Sequence, residues 1–200
     1  MEGAWNKTKI YSKKVLAFLK EDSWSSFFVN LVIAFLIIKF IFFPLISLVM
    51  GSTMPLVIVE SCSMYHSLSM EEVMKNQIYS SFNLTYEDSK SWKFNHGLSK
   101  GDIILVSRAN NVKVGDVIIF RGGSTNPIIH RVISTNPLQT KGDHNAAQLS
   151  SGNNAIGVDE TNIKEEQLVG KAVFRIPFLG WVKLVFFEFM RSPSERGFCK

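Results

Sequence analysis

Two serines stand two residues apart in VIVESCSMYHS, residues 57–67, where an apolar stretch gives way to a polar one. Serine is inert as a nucleophile until a base takes its hydroxyl proton, so chemistry at Ser63 requires a partner. IIHRV supplies His130 within an apolar run. A neutral imidazole there can accept the proton and later pass it to a leaving amine. An acid must then orient the ring, and Asp143 in QTKGDHN is the candidate, on a turn after a short strand that returns beside His130. The order Ser, His, Asp is admissible because geometry rather than chain order defines such a triad. The residues alone leave plainer readings open: Ser63 as a turn serine, His130 as a half-buried strand residue, and Asp143 as a turn former that bonds its own backbone.

Cys62, next to Ser63, is a rival nucleophile. In an extended strand neighbours point to opposite faces. If Ser63 faces His130, Cys62 faces away and is expected to be a small buried residue. Cys62 and Cys199 are the two cysteines of the chain and form no recognisable disulfide framework. His66, His96, His130 and His144 lack paired metal-ligand spacing, so neither a metal nor a cofactor is expected. His66 and His144 read as surface residues.

The elements that must position these groups are short β-type runs separated by glycine and asparagine turns. PLVIVE at 55–60, DIILVSR at 102–108, DVIIF at 116–120, IIHRVIS at 128–134 and QLVGKAVFRI at 167–176 predict a compact, mainly antiparallel β domain. The turn chemistry of RANNVKVG predicts that the runs at 102–108 and 116–120 pair as a hairpin. Residues 69–100 are polar and irregular and read as an insertion on the β core. EEVMKNQ starts a helix there, and Tyr86, Trp92 and Phe94 are available to dock it.

From Phe27 to Met50 the chain is strongly apolar, carries one charge, Lys39, and is long enough to cross a hydrocarbon layer of about 30 Å. Lys7, Lys9, Lys13, Lys14 and Lys20 precede it and place the N-terminus in the cytoplasm by the positive-inside rule. The apolar run exceeds the usual signal-peptide core, so an uncleaved anchor is expected. Much of the formal +5 charge lies in this stretch, and no basic groove interleaved with aromatics exists. A lipid bilayer is therefore the expected partner and nucleic acid is not. The expected organisation is a basic N-terminus at 1–26, an anchor at 27–50, an extracytoplasmic β domain at 51–190 and a tail at 191–200. Within the β domain, residues 176–190 form a membrane-proximal apolar segment too short and too charged for a second span.

The boxes now in view resemble the signal peptidase I family, in its archaeal and endoplasmic-reticulum form. An N-terminal span leads to Ser61-Cys62-Ser63-Met64; GDIILV and GDVIIF follow, then HRV from His130 to Val132, then KGDHN from Lys141 to Asn145, and finally GKAVFRIPFLGW. The resemblance covers residues 27–65 and 98–183. It implies Ser63 as nucleophile, His130 as general base where bacterial relatives place a lysine, Asp143 as orienting acid, and Ser61 as a hydroxyl donor to the oxyanion hole. Three positions depart from the pattern. Cys62 stands where a small residue is usual, His66 where proline is usual, and Leu149 where many relatives carry a second aspartate six residues after the first. Asp159, beyond the SSGNNAIG stretch, is the alternative acid.

The resemblance further implies a membrane-bound serine endopeptidase that removes signal peptides from secretory preproteins, cutting after small residues. Its partners would be those preproteins, the bilayer and a translocon. The archaeal-type boxes favour a plasma membrane over an organelle membrane. A different class remains open: an inactive, membrane-tethered β module that binds extended peptides near the translocon. A self-cleaving repressor-type protease shares the β core but uses lysine as base and lacks a span, so His130 and residues 27–50 argue against it.

Overall fold

A computed structural model describes residues 13–123, 126–150, 152 and 157–200. The chain divides into two compact units between Val49 and Met50. In the first unit one helix, α1 (Trp24–Met50), is long and apolar enough to cross a membrane. Ser23 caps it, its hydroxyl accepting from Ser26 N at 3.2 Å, which satisfies one of the donors a helix start leaves open. The helix runs through a π-helical stretch at Ile38–Phe42. Lys39 lies there with its ammonium over the rings of Phe35 and Phe40, 5.7 and 5.4 Å from the centroids.

In the second unit the described residues form a six-stranded antiparallel sheet of β1 (Leu56–Ile58), β2 (Ile103–Ser107), β3 (Val117–Phe120), β4 (Ile128–Thr135), β5 (Leu138–Lys141) and β6 (Leu168–Ile176). The order is β1-β2-β6-β3-β4-β5. The expected hairpin between the second and third runs does not form. β6 lies between them, pairing Ser107 with Lys171 on one side and Ile118 with Lys171 on the other. The nine residues between β2 and β3 are too many for the tight turn that would force neighbours together. Nine-residue β6 instead offers both of its edges.

All of β3 is buried, as its unbroken apolar run demands of a strand covered on both faces. Val117 and Ile119 join a core with Val57, Val59, Ile104 and Val106. Ile118 and Phe120 face the opposite way, with Val132, Val158 and Ile163. The 69–100 insertion contributes three short helices, α2 (Met70–Met74), α3 (Gln77–Ser81) and α4 (Tyr86–Ser89). Met70, Met74 and Tyr79 pack on Ile133, and Trp92 lies against them; Tyr86 stays exposed. After β6, residues 178–190 include α5 (Trp181–Leu184) and leave Phe178, Leu179, Val182, Phe186 and Phe189 exposed.

Candidate active site

Ser63 sits on a turn rather than in a strand. The Tyr65 amide donates to the Cys62 carbonyl at 3.0 Å and closes the reversal. The turn brings the two serine hydroxyls together, with Ser61 Oγ and Ser63 Oγ 3.1 Å apart. Cys62 does not become a free buried thiol, as expected of a strand neighbour; it forms a disulfide with Cys199. The fold brings together two cysteines 137 residues apart in sequence, which no local spacing could reveal. With its sulfur in that bond, Cys62 has no thiolate to offer as a rival nucleophile.

β4 carries His130, which is buried, to the same cavity as Ser61 and Ser63. Gly142 is the hinge of this arrangement. A Cβ there would come within 2.8 Å of both His130 Nε2 and the Ser63 carbonyl oxygen. Those two atoms therefore lie within about twice that distance of each other, and only glycine fits between them. The same turn is pinned to the serine loop by the His144 amide, which donates to the Ser63 carbonyl at 2.9 Å.

The acid against His130 is Glu160, not Asp143. His130 Nδ1 is hydrogen-bonded to Glu160 Oε1. Thr140 Oγ1 donates to the same oxygen at 2.8 Å, and the Leu149 amide donates to Oε2 at 2.7 Å. A fully buried carboxylate is thus met by three donors, the condition for keeping it in the interior. Leu149 stands where the resemblance places a second aspartate. The chain departs from that position and returns to it, since the Glu160 amide donates to the Leu149 carbonyl at 2.8 Å. Glu160, 11 residues further on in sequence, thus comes back beside Leu149.

Asp143 lies elsewhere. Arg131 donates to it from Nε at 2.9 Å and from Nη2 at 2.7 Å, His66 Nε2 is 2.8 Å from Oδ2, and the Tyr79 hydroxyl donates at 3.2 Å. Burial opposes its ionisation, but the Arg131 charge and the hydrogen bonds from His66 and Arg131 outweigh burial and hold the carboxyl well below the usual range. The Tyr79 hydroxyl is pushed up, by burial and then by the Asp143 charge. Arg131 also donates to the carbonyls of Lys93, Phe94 and Gly115, so Asp143 ties the 69–100 insertion to the sheet. His66 is no surface residue; its side chain is 2% exposed because Asp143 draws it inward. His144 is exposed, as expected. Asp159 accepts from Thr161 N and Oγ1 at 2.9 and 2.6 Å, a local turn that takes up its carboxylate.

Glu160 had a signal in the sequence. In Asp159-Glu160-Thr161 the aspartate and threonine are both residues that bond their own backbone, which leaves the glutamate free to reach inward.

The cavity, about 600 Å³, runs from these groups along β1. β1 is an edge strand. Val59 N donates to Asp102 O, Gly101 N to Val59 O and Val106 N to Pro55 O. The odd-numbered residues thus direct their backbone groups to β2, and by strand alternation Leu56, Ile58 and Glu60 direct theirs outward along the cavity. Pro127, Ile128 and Ile129 form the facing wall.

A mainly β domain thus sets a hydroxyl pair and a carboxylate-backed histidine in one cavity beside an open strand edge. The chain is similar to signal peptidase complex catalytic subunits. It is 31% identical over 97 residues to SEC11 of Yarrowia lipolytica, covering 44% of this chain and 55% of that protein. It is 29% identical over 99 residues to SEC11 of Pyricularia oryzae, covering 44% and 56%. It is 32% identical over 98 residues to sec11 of Pyrenophora tritici-repentis, again covering 44% and 56%. The match spans just over half the length of these relatives. No family model matches. The relatives are fungal, so the expectation of an archaeal type is not carried by them.

Proposed function

We propose that the chain is a membrane-held serine endopeptidase that removes signal peptides, with Ser63 as nucleophile, His130 as general base and Glu160 as the residue that orients the base. The observation that carries this reading is the line Ser61, Ser63, His130, Glu160 at one end of an open β1 edge. Glu160 on Nδ1 fixes the tautomer that turns the Nε2 lone pair toward the cavity, and it stabilises the imidazolium once His130 has taken the Ser63 proton. The Ser61 hydroxyl is placed to donate to the oxyanion formed when Ser63 Oγ attacks a carbonyl. His130 then returns the proton to the leaving amine.

A preprotein adds as an extended strand along Leu56, Ile58 and Glu60, which recognises main chain, while the apolar wall admits small side chains near the cut. Proximity comes from α1, because a signal peptide is also held in the membrane. Residues 176–190 rest their exposed aromatic side chains on the lipid surface. The Cys62–Cys199 disulfide fits a domain on the oxidising side of the membrane. The fungal relatives are subunits of a signal peptidase complex, which supports work within a complex at an organelle membrane, the endoplasmic reticulum, rather than at a plasma membrane.

Incubating the detergent-solubilised chain with a precursor bearing an Ala-x-Ala site tests the reading. Cleavage after the second alanine that disappears in Ser63→Ala is the expected result. A wild-type chain that neither cuts the precursor nor reacts with a serine-directed acylating reagent would instead be a peptide-binding module.

A further inference from the structure

The proposed reaction makes no use of residues 188–200, yet Arg191 and Glu195 line the cavity that holds Ser63. Arg191 donates from Nη2 to Glu60 Oε2 at 2.8 Å and from Nη1 to the Glu60 carbonyl at 3.2 Å. That carbonyl is the last outward-facing acceptor of the β1 edge before Ser61. A chain that extends along Ile58 and Glu60 to reach Ser63 therefore meets a guanidinium on an acceptor that its own N–H needs.

The segment is held there from several sides. Lys100 Nζ donates to the Glu195 carbonyl at 2.6 Å and to Glu188 Oε2 at 2.9 Å. The Gly197 amide donates to Glu188 at 2.7 Å, and the Phe198 ring lies 4.6 Å from that of Trp181. Cys199 then bonds covalently to Cys62, the residue between the two site serines. Residues 192–198 are all exposed, so the segment lies across the surface and is not part of the core.

We propose that residues 188–200 are a strap that competes with the substrate strand for the Glu60 end of the β1 edge, held in place by the Cys62–Cys199 disulfide and released by a dithiol reductant. The proposal rests on the peptidase reading of the site and names its regulation. In the redox step a thiolate of the dithiol attacks one sulfur of the bond, and its second thiol resolves the mixed disulfide. The reductant leaves as its own disulfide, and two electrons and two protons convert Cys62 and Cys199 to thiols. A part-exposed ion pair such as Arg191–Glu60 is weak by itself. A covalent tether makes it effective by raising the local concentration of the strap at the edge.

The test measures binding without turnover. A fluorescent extended peptide containing Ala-x-Ala is titrated into full-length Ser63→Ala in detergent, before and after dithiol treatment, with both thiols counted by labelling. Reduction is expected to tighten binding about two- to fivefold, the range a released surface ion pair allows. Cys199→Ser in the same background should bind like the reduced protein and ignore dithiol. Arg191→Ala should tighten the oxidised form while leaving the disulfide intact. Unchanged or weaker binding once both thiols are free, or no binding in either state, would overturn the strap. Peptide that binds with this redox dependence to a wild-type chain unable to cut it would retire the peptidase reading and leave the strap standing.

Discussion

His130 and His66 each hold a buried carboxylate, and the two pairs differ in what else touches it. Glu160 accepts from His130, Thr140 and the Leu149 amide. The other two donors are neutral, so its charge is left to act on the imidazole. Asp143 accepts from Arg131 as well as from His66 and Tyr79, and the guanidinium already neutralises it. The far nitrogens differ too. Both histidines line cavities, but His130 shares its cavity with Ser61 and Ser63, whereas His66 Nδ1 is buried without a hydrogen-bond partner among the described residues. A histidine next to an acid is therefore not enough to mark a catalytic pair. The carboxylate must carry charge that no cation has taken, and the outer ring nitrogen must reach substrate.

The largest effect that separates the pairs is on turnover. Glu160→Gln keeps the shape but removes the charge, and precursor cleavage is expected to fall about 10³–10⁴-fold in kcat, as when a triad acid becomes an amide. A Glu160→Gln chain that cuts at the wild-type rate would end the assignment. Ser61→Ala is expected to lose about 10²–10³-fold in kcat with KM little changed, the loss typical of one oxyanion donor; a change confined to KM would make Ser61 a binding residue.

Asp143→Asn should act on stability before turnover. Removing the partner of buried Arg131 costs about 3–5 kcal/mol, which thermal unfolding in detergent would report as a midpoint lower by about 10 °C. Its pH dependence has a definite sign. The folded carboxyl is held below its unfolded value, so its stabilisation is fully present above about pH 4, the ordinary aspartate value, and is lost as pH falls below that toward the folded pKa. The Asn variant should lose this acid-side slope when midpoints are compared between pH 5 and pH 3. An unchanged slope would mean the Arg131 pair is not what depresses the group. The smallest effect belongs to Asp159→Asn. The substitution disturbs only a local turn to Thr161, so stability should stay within about 0.5 kcal/mol and cleavage should persist; a loss comparable to that of Glu160→Gln would place the acid one residue earlier.

Much of this was legible in the chain. Ser61-Cys62-Ser63 after an apolar run, His130 inside a strand and five of the six strands follow from short-range pattern, because alternation and turn chemistry are local properties. So does α1, since length and apolarity alone qualify a helix to span a bilayer. What no local pattern carries is which distant groups meet. Asp143 and Glu160 are both acids in the stretch between β5 and β6, and only the tertiary structure shows that Arg131 claims the first and His130 the second. Inserting β6 between β2 and β3 was likewise settled by pairing across the sheet, and the Cys62–Cys199 bond by a chain reversal 137 residues long. The physical reason is common to all three. Elements form from the preferences of neighbouring residues, but partners are chosen by satisfying buried charge and backbone groups over the whole fold.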